Sequence, residues 1–112
     1  MYIERELENK IKKYLETREI IGVVGPRQCG KTTMIQNILL EQKSKGKKIR
    51  QISFDNIKEL SLFEEDIDSF CEKNIKDYDI LFIDEIQYSK DSGKKLKYIY
   101  DIHNIKIIIS GS

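Results

Sequence analysis

The chain has 112 residues, 39% hydrophobic and 35% charged, with a formal net charge of +1. That leaves room for one small domain with one core. No apolar run approaches the ~20 residues of a membrane-spanning helix. Cys29 and Cys71 form neither a disulfide framework nor a metal-ligand pattern, and residues 1–8 alternate charge without a secretion signal. Cytoplasmic residence is the expectation.

In chain order, Ile3, Leu7, Ile11 and Leu15 repeat every four residues with Tyr14 beside them, which predicts an amphipathic helix over residues 1–17. The β-branched run Ile20, Ile21, Val23 and Val24 predicts a first strand over 20–24. Met34, Ile35, Ile38 and Leu39 recur at helical spacing and predict a helix over 31–44, with Gly46 as its stop. Ile49, Ile52 and Phe54 mark a second strand over 48–54. Ser61 and Glu64 read as a capping box opening a helix through Leu62, Phe63, Ile67 and Phe70. A third strand follows at 80–83, a helix at 92–102 carrying Leu96, Ile99 and Tyr100, and a fourth, nearly all-isoleucine strand at 105–109. Strands alternating with helices, three of them continuous apolar runs, predict a parallel sheet in an α/β domain. The whole chain is expected to be one domain, with residues 20–112 as its core.

Between the first strand and the first helix stand Gly25, Pro26, Arg27, Gln28, Cys29, Gly30, Lys31, Thr32 and Thr33. Gly25, Gly30, Lys31 and Thr32 satisfy the phosphate-loop pattern, and the strand before and helix after supply the setting it needs. Such a loop wraps backbone N–H groups around a β-phosphate at a helix N-terminus, and its glycines let the backbone approach closely. Lys31 would reach the β- and γ-phosphates, and the Thr32 hydroxyl would join the shell of a Mg²⁺ ion. Cys29, beside helix-start N–H groups, could be redox-sensitive, the plainer reading being a tolerated side chain.

The third strand ends in Asp84 and Glu85, as in a Walker B element. Asp84 would hold a water on Mg²⁺, and Glu85 would polarise the attacking water. The fourth strand ends in Ser110, a position from which a polar group can touch a γ-phosphate or the lytic water. Asn56 and Gln87 are polar candidates near strand ends without a sharper role.

Charge is unevenly spread. Lys43, Lys45, Lys47, Lys48 and Arg50 have no acid among them, whereas residues 55–79 hold nine acids against three lysines. A second basic group is Lys90, Lys94, Lys95 and Lys97. Solvated faces account for these clusters, since no aromatic residues interleave them; contact with nucleic acid is the alternative. His103 has no ligand partner at suitable spacing and reads as a surface or half-buried residue.

The segments 25–33, Phe82–Gln87 and Ile107–Ser112 together resemble the AAA-type ATPases of the AAA-14 group, over residues 20–112. The resemblance implies a P-loop NTPase fold of three α/β/α layers and the additional-strand sheet order 5-1-4-3-2. It also implies ATP and Mg²⁺ as cofactors and ATP hydrolysis as the reaction. Gly25 to Thr33 carry over as the phosphate loop, Asp84 and Glu85 as Walker B, and Ser110 as the sensor. Cys29 departs from the small aliphatic residue usual there. Family members continue into a fifth strand, a finger arginine and a C-terminal region, so the resemblance implies an N-terminal part with strands one to four, weak activity alone, and self-association through an exposed first strand. A nucleotide-dependent switch contacting nucleic acid through residues 43–50 is the alternative function. A small-molecule kinase is disfavoured by the Asp84–Glu85 pair. No base-reading motif separates ATP from GTP.

Overall fold

A computed structural model describes residues 20–24 and 30–111; the expected N-terminal helix over residues 1–17 lies outside them. Four strands, β1 (Ile21–Val24), β2 (Ile49–Ser53), β3 (Ile80–Asp84) and β4 (Lys106–Gly111), form one sheet in the order β1-β4-β3-β2. Every pairing is parallel, with Ile21 opposite Ile108, Ile80 opposite Lys106 and Ile49 opposite Ile80. β3 and β4 occupy the middle and bury nearly every residue, as their unbroken apolar runs require. β1 and β2 are the edges among the described residues, and β1 buries Ile21 and Val23 while Gly22 between them is exposed.

Alternation along the strands splits the core into two layers. On one face Ile21, Val23, Ile80, Phe82 and Ile108 pack against Met34, Ile35, Ile38 and Leu39 of helix α1 (Lys31–Ser44). On the other, Ile52, Leu81, Ile83 and Ile107 meet Phe63 of α2 (Ile57–Glu65), Phe70 and Cys71 of α3 (Ile67–Asn74), and Leu96 and Ile99 of α4 (Ser92–Ile102). Phe63 lies between Phe54 and Phe70, its ring centre 5.0 Å from each. The result is an α/β/α sandwich with the P-loop NTPase strand order.

α1 ends as its sequence dictates. Gly46 takes φ 90°, a left-handed conformation that glycine adopts without penalty, and its N–H bonds the Lys43 carbonyl at 3.0 Å. α4 matches its expected limits, and half-buried His103 closes it through an N–H bond to the Ile99 carbonyl.

One expectation is corrected. Ser61 does not open a helix: it lies inside α2, which begins earlier, where the Asn56 side chain accepts from the Lys58 N–H at 3.0 Å. Asp66 then interrupts the run, its carboxylate accepting from the Ser69 N–H and hydroxyl at 3.2 and 2.8 Å and starting α3. A carboxylate that satisfies the first N–H groups of a helix competes with helix continuation through its own position. Glu64, freed of a capping role, accepts from the Lys90 N–H at 2.9 Å, and its carbonyl accepts from Lys95 Nζ at 3.0 Å. Asn56 is thus a helix cap.

Candidate functional site

In a parallel sheet all strands end on one side, so Val24, Ser53, Asp84 and Gly111 define a single edge. Crevices at such edges, where the chain leaves neighbouring strands for opposite faces, are where α/β sheets take ligands. The expected phosphate-loop residues 25–29 and Ser112 lie outside the described residues, so the site is built from the flanks of the loop and from β3 and β4.

Gly30 adopts φ 78°, a left-handed turn into α1, which begins with no side-chain cap and no acid in its first turn. A helix start of that kind presents N–H dipoles to an anion. Lys31 is buried, and its ammonium donates to the Gly111 carbonyl at the end of β4, 80 residues away in sequence. Thr32 and Thr33, on the exposed side of the first turn, are open to solvent.

Phe82 and Ile108 face α1, so by alternation Asp84 and Ser110, each two residues further on, belong to the same face. Ser110 is buried, paired in register with Val23 of β1. Asp84 is half-buried, and its Oδ1 accepts from the Glu85 N–H at 2.9 Å. Glu85 takes φ 55°, a left-handed conformation uncommon for a residue with a side chain, and is buried. Its Oε1 accepts from Gln87 Nε2 at 2.8 Å. Among the described residues no cluster of three or more His, Cys, Asp or Glu could hold a metal. Mg²⁺ keeps several waters and shares phosphate oxygens, so a lone carboxylate beside a hydroxyl suits it. Asp84 and Thr32 carry donor groups of that kind.

The fold gives a place at this edge to three residues that the sequence reading omitted or left without a role. Gly111 receives Lys31; its signal was only a glycine after an apolar run. Ser53 pairs in register with Asp84, visible only once β2 and β3 are aligned. Gln87, named without a role, reaches Glu85. Arg50, grouped by sequence with the basic cluster, is drawn elsewhere: its Nε donates to Asn74 Oδ1 at 2.9 Å and its guanidinium lies 3.5 Å from Glu59. Lys45 pairs with Glu41 at 3.7 Å, and Lys97 with Asp101 at 2.8 Å. No helix of the described residues is long and apolar enough to cross a membrane.

Comparison with known proteins agrees with this fold. The AAA domain family model matches residues 17–112. A protein of Methanocaldococcus jannaschii named "Uncharacterized protein MJ1637" is 32% identical over 115 residues, covering 95% of this chain and 24% of that protein. The chain therefore spans about a quarter of that relative's length. AMPPCP-bound DnaA from Aquifex aeolicus superposes with a TM-score of 0.66 at 18% identity, covering 97% of this chain and 38% of that one, a likeness of fold. With a family match running from before β1 to the end of β4, the chain belongs to the AAA domain family, of the AAA-14 type.

Proposed function

We propose that the chain binds Mg-ATP and hydrolyses its β–γ bond. The observation that carries this reading is the meeting of Lys31 with the end of β4, one strand away from Asp84 and Glu85. Residues 25–30 and the start of α1 would cradle the β-phosphate with backbone N–H groups, and Lys31 would exchange the Gly111 carbonyl for phosphate oxygens. Asp84 and Thr32 would hold Mg²⁺. When bound, that ion neutralises charge on the β- and γ-phosphates. Glu85 would orient the attacking water and take its proton, and Ser110 would hydrogen-bond the γ-phosphate or that water. The DnaA likeness supports the nucleotide reading, since that protein is bound to an ATP analogue.

Turnover is expected to be slow. Among the described residues the arginine is Arg50, whose guanidinium is engaged with Asn74 and Glu59. A finger arginine contributes on the order of 10³–10⁵ in rate, a contribution that Arg50, so engaged, is not placed to make. Nucleic-acid contact through residues 43–50 draws less support, because Arg50 and Lys45 already have acidic or amide partners.

The test is titration of a fluorescent ATP analogue with and without Mg²⁺. Lys31→Ala should weaken binding about 10–100-fold, the loss of a charge-assisted contact. Glu85→Gln should bind normally and abolish turnover. Absence of nucleotide binding by the wild-type chain refutes the proposal.

A further inference from the structure

Gln87 joins two parts of the site. Its Nε2 donates to Glu85 Oε1 at 2.8 Å. Its other end lies over Gly111: a Cβ placed on that glycine would stand 2.6 Å from Gln87 Oε1 and 3.1 Å from Ile86 Cγ2. The Gly111 carbonyl in turn accepts from Lys31. The side chain is therefore lodged between the carboxylate after β3 and the backbone at the end of β4.

We propose that Gln87 is a positioning residue of Glu85, and that the missing Cβ of Gly111 leaves room for the Gln87 amide. The inference rests on the ATP-hydrolysis reading. Glu85 stands just past β3 in a left-handed turn, with three side-chain torsions that its backbone alone does not fix. A general base has to point at its water; a displacement of about 1 Å can cost about 100-fold in rate. The 3₁₀ turn Ile86–Tyr88 brings Gln87 back to Glu85, and β4 limits where the amide can go. The amide and Gly111 stand so close that a Cβ on the neighbouring strand would push the amide from its present place.

Because Gln87 itself is exposed, its removal leaves the core intact. Three variants test the idea: Gln87→Ala removes the donor, Gly111→Ala pushes the amide aside without touching Glu85, and Glu85→Ala removes the acceptor. In nucleotide-free protein the ¹⁵N side-chain amide signals of Gln87 should be displaced from those of a solvated glutamine. They should move to the solvated position in Glu85→Ala and in Gly111→Ala. In turnover, Gln87→Ala and Gly111→Ala should lower kcat roughly 10–100-fold, with affinity for a non-hydrolysable analogue within about twofold of wild type. The inference is overturned if the wild-type amide signals are those of a solvated glutamine, if Glu85→Ala leaves them unmoved, if kcat of Gln87→Ala is unchanged, or if affinity falls in step with rate. Wild-type protein that neither binds nor hydrolyses ATP overturns the hydrolysis reading instead, and the amide signals then decide the Gln87–Glu85 tie by themselves.

Discussion

Glu59 offers the sharpest test of how this domain holds together. It lies on α2, its side chain 7% exposed, and three side chains from two other elements converge on it. Lys73 of α3 donates at 2.8 Å, the fully buried Asn74 donates through Nδ2 at 3.1 Å, and the Arg50 guanidinium of β2 lies 3.5 Å away. Asn74 also accepts from Arg50, so removing the carboxylate breaks a closed network. Breaking a buried ion pair from one side costs about 3–5 kcal/mol. Arg50 and Lys73 are 31% and 52% exposed, so water can recover part of their solvation. The Asn74 amide cannot recover in that way, and a buried donor left unsatisfied costs about 1–3 kcal/mol. Glu59→Ala should therefore cost about 2–3 kcal/mol, a large share of a small domain's stability. Lys73→Ala, the removal of a half-exposed partner, should cost under about 1 kcal/mol.

Urea denaturation followed by circular dichroism measures both through the midpoint. Equal costs for Glu59→Ala and Lys73→Ala would refute the reasoning, because the ranking follows from burial alone. A pH series adds an independent check. Burial raises the Glu59 pKa, but the hydrogen bonds from Lys73 and Asn74 and the charges of Lys73 and Arg50 outweigh it, holding the carboxyl below its ordinary 4.5. As pH falls through that interval the unfolded chain takes up the proton first, so stability is present above 4.5 and lost progressively down through the lower folded value. Glu59→Gln should flatten the stability curve there. An unchanged acid slope in that variant would show that the carboxylate charge does not matter.

Three further outcomes are expected. Phe63→Ala, which empties the centre of the Phe54–Phe63–Phe70 cluster, should cost about 3–5 kcal/mol in the same urea assay; a loss under about 1 kcal/mol would mean the cluster closes over the gap. Asp91→Gly should stabilise by up to about 1 kcal/mol, because Asp91 is exposed at φ 53° and its side chain caps nothing; a lower melting temperature would contradict that. Burial, reinforced by the nearby Asp68 charge, pushes the Cys71 thiol up to about 11, so at pH 8 it should alkylate far more slowly than a free thiol until the chain unfolds, as peptide mass mapping will read.

Much of this architecture was legible in the sequence because each signal was local. α1 and α4 follow from helical spacing, β3 and β4 from unbroken apolar runs, and the strand order from the family resemblance. Local signals also caused the miss at α2 and α3. Ser61 and Glu64 have the spacing of a capping box, and the apolar positions on either side of Asp66 suit one helix. The break at Asp66 comes from a carboxylate choosing backbone N–H partners, a competition that periodicity does not weigh. Charge counting likewise placed Arg50 with solvated lysines. Its actual partners, Glu59 and Asn74, are 9 and 24 residues away and are brought close only when α2 and α3 fold over β2.

The same limit explains why the site itself was only half legible. Lys31 follows β1 and Glu85 follows β3, and these strands are not neighbours: β4 lies between them. What joins them is the last residue of β4, whose carbonyl accepts from Lys31 and whose missing Cβ admits Gln87. Gly111 is therefore expected to act in both directions. A side chain there displaces the amide that holds Glu85, while the carbonyl that receives Lys31 stays in place. The contact between segments written far apart in the chain thus runs through a third strand's backbone, a relation set by strand register.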